Sequence, residues 1–133
     1  MKNIIIMLFL FFSLHACSRN SPDPEPVYNL YYQFFTDKNY QYVYRLILNT
    51  ADSCTKQGLT SKSIAEGQHY SDIKAGDITI SLHAMFGKHP HIRVKIDTID
   101  NRTRVSVSND FERWDELSKV IKDWVLNETT FCR

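Results

Sequence analysis

Glycine and proline are scarce in this sequence, cysteine occurs three times, and neither sign of charge dominates. The four glycines, Gly58, Gly67, Gly76 and Gly87, are too dispersed for a phosphate-binding loop, and although the first three are evenly spaced nothing else repeats with them. A formal net charge of +1 excludes the marked basic surplus that identifies nucleic-acid binders. A membrane-spanning helix needs about 20 apolar residues, and the longest run, residues 4–12, is shorter. Nucleophile elbow, zinc-protease helix and paired-carboxylate motifs are all missing. The expectation is a protein that is not an enzyme and carries no cofactor.

What is present begins at the N-terminus. Lys2 supplies a positive charge, residues 4–12 form an apolar run, and Leu14-His15-Ala16-Cys17 closes the segment. A charged start, a short apolar stretch and a small residue before a cut are the grammar of an export signal. An ordinary secretory signal prefers a small residue where Leu14 stands. Leu14 and Ala16 ahead of Cys17 resemble the signal of bacterial lipoproteins instead; His15 departs from that pattern, where a small residue is usual. The resemblance implies cleavage after residue 16 and attachment of lipid, palmitate among its acyl chains, to Cys17. Several chains are needed for stable anchoring, because one alone binds membranes only marginally. In lipoprotein sorting, Ser18 after the cysteine lacks the aspartate that retains many such proteins in the inner membrane, which implies the outer membrane, facing the periplasm, if the host is Gram-negative. The competing reading is a plain secreted protein with Cys17 in a disulfide.

Residues 17–26 carry three of the four prolines, alternating with acids. Such a stretch favours polyproline II, a semi-rigid spacer of about 3 Å per residue. The division is therefore a signal over 1–16, a lipidated cysteine with its tether over 17–26, and one domain over 27–133. Removing Lys2 with the signal leaves 15 basic and 15 acidic residues. Cys54 and Cys132 remain in the domain, and in an oxidising compartment two cysteines read as one disulfide. The rival reading, Cys54 as a nucleophile, finds no His or Asp at a motif spacing. Closing so long a loop is worth about 4–5 kcal/mol in the chain-entropy model, as an upper figure.

Residues 27–35 are rich in aromatics, which favours strand, yet Val27, Leu30, Tyr31 and Phe34 also permit a helical turn. A helix follows the capping chemistry of residues 36–39, with Tyr40, Val43, Tyr44, Ile47, Ala51 and Cys54 on one face, and Gln57-Gly58 ends it. A weaker strand is expected near residues 64–70, with a turn at Lys74-Ala75-Gly76. In residues 78–86, Ile78, Ile80, Leu82, Ala84 and Phe86 alternate inward, and Thr79, Ser81, His83 and Met85 outward. Gly87-Lys88-His89-Pro90 is predicted to turn the chain. Ile92, Val94 and Ile96 then face the core, with Arg93, Lys95 and Asp97 opposite. Asp100-Asn101 makes a two-residue hairpin turn; counting outward sets Ile99 against Arg102, Asp97 against Arg104, Ile96 against Val105 and Val94 against Val107. Asn109 with Glu112 resembles a capping box, opening a helix whose stripe is Phe111, Trp114, Leu117, Ile121, Trp124 and Val125.

The fold class is α+β: an antiparallel sheet of three to five strands packed by an N-terminal helix and a long C-terminal helix. This order resembles the helix-grip architectures. Tyr40-Gln41-Tyr42-Val43-Tyr44-Arg45, with Cys54 and Cys132, also makes the chain loosely similar to small uncharacterised proteobacterial lipoproteins that carry a cysteine near the C-terminus; no site residue is implied by that similarity.

Three histidines, His83, His89 and His91, lie close together, but the carboxylate or cysteine partners of a metal site are not at ligand spacing, so no metal is expected. His83, Arg93, Lys95, Arg102 and Arg104 gather on the outward face, relieved by Asp97, as a candidate partner-binding face; a solvated sheet face is the plainer reading. Three function classes follow. The first is a non-enzymatic interaction or accessory module, anchored through lipid and binding an envelope protein, without nucleic acid. The second is an immunity or inhibitor lipoprotein against a periplasmic toxin or hydrolase. The third is an enzyme or small-ligand carrier, which requires a cavity between helix and sheet.

Overall fold

The computed structural model describes residues 27–54, 61–85, 87–110 and 112–132. The export signal over 1–16, Cys17 and its tether lie outside the described residues, as do Gln57-Gly58, Phe86 and Phe111. The chain runs strand β1 (Asn29–Thr36), helix α1 (Tyr40–Ser53), strands β2 (Ser61–Tyr70), β3 (Ala75–Ala84), β4 (Gly87–Ile99) and β5 (Arg102–Asn109), a short 3-10 turn (Glu112–Trp114) and helix α2 (Asp115–Asn127). The five strands form one antiparallel sheet in the order β1-β5-β4-β3-β2. The class is α+β, with two helices.

The aromatic tract left open between strand and helix is a strand. It pairs along β5, with Phe34 opposite Val105 and a bulge between Leu30 and Tyr32. Helix α1 follows its cap: the Asn39 side chain accepts the Gln41 N–H at 2.8 Å. Tyr40, Val43, Tyr44, Ile47 and Ala51 of the predicted stripe are buried along it, Thr50 joins them, and Cys54 is half-buried at its end. The helix stops at Ser53, before the predicted Gln57-Gly58. Cys54 closes it, its N–H bonded to the Thr50 carbonyl at 2.9 Å and its sulfur joined to Cys132 with the Cα atoms 5.2 Å apart.

The β4–β5 hairpin has the expected register, Ile99 to Arg102 through Val94 to Val107. Asp100 and Asn101 take φ of 49° and 62°, the left-handed pair that a tight hairpin turn demands. Two other turns are displaced from their predicted places. Gly87-Lys88-His89-Pro90 belongs to β4, because Ala84 already pairs with Gly87. Pro90 is tolerated there because the register slips beside it: Ile80 opposes Ile92 and Ser81 opposes Pro90, leaving His91 as the extra residue of a bulge. Likewise Ala75 and Gly76 lie in β3, opposite Tyr70 and His69, and the turn ends at Lys74 with φ 51°. At the bulge the predicted alternation of β3 fails. Ile78 and Ile80 are buried, but Leu82 and Ala84 are half-buried, and Ser81 is only 1% exposed.

Asn109 does not cap a helix. It is the last residue of β5 and is buried, and its amide donates to Asp115 Oδ1 at 2.9 Å and Ser118 Oγ at 3.3 Å. Helix α2 begins only at Asp115, where Asp115 and Glu116 suit its positive end. Ile121, Trp124 and Val125 are buried on it, with Trp114 and Leu117 half-buried beside the core.

Both helices lie on the same face of the sheet. Ile78, Ile92, Val94, Ile96, Val105 and Val107 from the strands meet Val43 and Ile47 from α1 and Ile121, Trp124 and Val125 from α2 in one cluster. Burying each such side chain is worth about 1.5–3 kcal/mol relative to exposing it. Helix α1 approaches the sheet closely where two strands lack side chains. A Cβ on Gly76 would stand 2.6 Å from Tyr44 Cδ2, and one on Gly67 2.2 Å from Tyr44 Oη. Helix α2 is pinned to β1 by the Tyr32 hydroxyl, which donates to the Ser118 carbonyl. Burial holds that phenol well above its ordinary range. At the far end of α2, Lys38 and Tyr42 both donate to Glu128 Oε1, and Lys38 draws the Glu128 carboxyl below its usual range.

Candidate functional site on the open face of the sheet

Side chains alternate across a strand, so the residues between the core positions form the opposite face of the sheet. Among the described residues no helix covers it. His83, Arg93, Lys95, Arg102 and Arg104 all fall on this face by register. They do not form an unbroken basic patch. Arg104 grips Asp97 with two bonds, Nε to Oδ1 at 2.9 Å and Nη2 to Oδ2 at 2.6 Å, which raises the guanidinium further above its already high range. Arg102 bonds Asp37 at 2.8 Å and lies 5.6 Å from the centre of the Phe35 ring. Arg93 faces Asp77 at 3.8 Å. Lys95 is exposed and has no acid within ion-pair distance among the described residues. The Nε2 of His83 is shut off from solvent without a hydrogen-bond partner there. Among the described residues the face is a mosaic of paired charges with two unpaired lysines, Lys95 and, opposite His83, Lys62.

The other half of the same face is concave. Glu66 and Gln68 of β2, Asp77 and Thr79 of β3, Lys88, Pro90 and Arg93 of β4, and Tyr28 ahead of β1 line a groove of about 620 Å³. Lys88 reaches from β4 across β3 to bond Glu66 on β2. Of these residues only Arg93 is among the five predicted. Glu66 and Lys88 stand 22 residues apart and meet only through two successive hairpin registers. In the sequence Lys88 has the neighbours of a turn, and β2 carries the weakest pattern of the strands.

The three histidines do not converge. His83 pairs across the ladder with Lys88 and therefore faces away from the next residue, His89. His91 is 6% exposed and turns to Asp110, Nδ1 to Oδ2 at 2.8 Å, while its ring stacks on Trp114 with centroids 4.6 Å apart. The Asp110 N–H closes this corner on the His91 carbonyl at 3.1 Å. A carboxylate that orients an imidazole is half of a familiar acid–base device. Here the other ring nitrogen is buried and meets no hydroxyl or thiol among the described residues, so the pair anchors the bulge and the entry to α2. No set of three His, Cys, Asp or Glu side chains is gathered for a metal among the described residues. No helix among them is long and apolar enough to cross a membrane. In comparison with known proteins, the chain matches no family, no curated protein and no solved structure.

Proposed function

We propose that this protein is a lipid-anchored envelope lipoprotein whose folded domain is a non-enzymatic binding module. In this reading Cys17 holds it in the outer membrane, facing the periplasm, and the open face of the sheet docks an envelope protein. The observation that carries the reading is the division of the sheet. One face is spent entirely on the core, and the other presents Lys95, the Arg102–Asp37 and Arg104–Asp97 pairs and the half-exposed Phe35. Mixed charge around an aromatic is the composition of a specific, reversible interface. The Cys54–Cys132 bridge supports export, since such bonds persist in oxidising compartments. Between helices and sheet, Ile47, Ile78, Ile121 and Trp124 are fully buried, which favours a docking module over a carrier with an internal cavity. We read the arrangement as helix-grip-like, supported by a C-terminal helix lying against an antiparallel sheet.

Two measurements in cells test the reading. Metabolic labelling with palmitate should mark the wild-type protein and be abolished by Cys17→Ser; a variant that still labels would overturn the anchor. A photo-crosslinking residue at Lys95 should give a discrete protein adduct, and one at Lys119, on the exposed side of α2, should give none. Adducts from Lys119 alone would move the interface to the helices and sink the proposal.

A further inference from the structure

We propose that the groove across β2, β3 and β4 is a binding site for a neutral, hydroxyl-rich ligand, a saccharide chain. This proposal does not rest on the protein docking proposed above, although the groove lies on the same face, with Asp77 opposite Lys95. The groove's volume of about 620 Å³ falls within the range of small-ligand sites, about 300–1,000 Å³. Its charges cancel, two acids against two bases. Glu66 and Lys88 are already bonded, and Asp77 and Arg93 stand 3.8 Å apart, near enough to neutralise each other but beyond hydrogen-bond distance.

That balance selects the ligand. A strongly charged group would have to strip one of these residues from its counter-ion, leaving the other unpaired. An apolar group would desolvate four charges without replacing their hydrogen bonds. A hydroxyl both donates and accepts, so it can bridge a carboxylate and a guanidinium without disturbing either. Arg93 Nε and Asp77 Oδ1 face each other and have no hydrogen-bond partner among the described residues, so the pair keeps a donor and an acceptor that one hydroxyl can bridge. Thr79 adds a hydroxyl between the two pairs. Gln68, whose oxygen accepts from Tyr70 at 2.5 Å, keeps its amide N–H groups to donate. Tyr28 and Pro90 supply apolar surface against which the C–H face of a sugar ring can lie. Groups that donate and accept in alternation, beside an aromatic wall, suit a polyol.

The test is a titration of the full chain, isotope-labelled and held in a zwitterionic detergent without sugar head groups. The probes are chitotetraose, cellotetraose and maltotetraose, with glycylglycine as a zwitterionic control, followed by amide shifts in NMR. At least one tetrasaccharide should give saturable shifts at Glu66, Gln68, Asp77, Thr79, Lys88 and Arg93. Thr79→Tyr, which fills the groove with a residue that strands accept, should weaken that binding at least about tenfold. Arg93→Gln, which removes the charge and its donors, should weaken it in the same direction and serves if the tyrosine variant misfolds. Three results would each overturn the site: no saturable shift with any tetrasaccharide up to about 10 mM, shifts confined to other residues, or tighter binding of glycylglycine. None of them bears on the adduct expected from Lys95, so the two proposals fail separately.

Discussion

The two faces of the sheet are built from the same strands and differ by one step along them. In β4, Ile92, Val94 and Ile96 are buried under the helices, and Arg93, Lys95 and Asp97, interleaved with them, meet solvent. The covered face excludes water and tolerates little: two glycines leave room for Tyr44, and Trp124 is 0% exposed. The open face is held by ion pairs such as Arg104–Asp97, each side chain about one-third exposed, and pairs of that kind contribute about 0–1 kcal/mol. Stability is thus concentrated on the covered face, which lets the open one vary without disturbing it.

Four experiments would break or sharpen this contrast. Replacing both Cys54 and Cys132 by serine should have the largest effect, a loss of up to about 4–5 kcal/mol for a bridge spanning 78 residues. Urea unfolding reads it, and a loss under about 1 kcal/mol would mean that the bridge does not staple the domain. Trp124→Ala should lower stability by about 3–5 kcal/mol, since it empties the core and removes the indole N–H bond to the Phe131 carbonyl at 3.0 Å. Gly76→Ala comes next, at about 1–3 kcal/mol, because the added methyl meets the ring of Tyr44 and not merely its tip. Thermal melts compare it with the parent. Arg104→Ala should change stability least, by about 1 kcal/mol or less after solvent screening. If it proved as damaging as Gly76→Ala, the division between the faces would be lost.

Legibility in the sequence followed how local each signal was. The β4–β5 hairpin could be read to the residue, because two turn formers and strict alternation on both arms allow one register, and a slip would bury Arg93 and Lys95. The stripe of α1 was legible for the same reason, as was the pairing of the only two cysteines in the domain. The type of β1 was not. Its aromatic spacing suits helix and strand alike, and what decides it is the exposed edge of β5, far along the chain. Pro90 reads as a turn residue because a bulge uses the same residues as a turn, and only the cross-strand count places it, and Gly87 opposite Ala84, in the strand. Asn109 has the chemistry of a cap and instead spends its amide as a donor into α2. Of the candidate site, the basic residues could be placed on one face. Their neutralising partners Asp37 and Asp77, and the groove formed with Glu66 and Lys88, depend on tertiary proximity that no local pattern encodes.

The pairing of the first strand with the last has a consequence for how the molecule assembles. As the chain emerges from its N-terminus, β1 meets no partner until β5 has been delivered, and Cys132 arrives later still. The β2–β5 meander can zip from its own hairpins, whereas docking of β1 is a long-range closure of the slow kind. Until that closure a nascent chain exposes Phe34 and the edge of β5 together. The order of strands in the sheet therefore acts as a timer: the domain becomes whole only when nearly all of it is free.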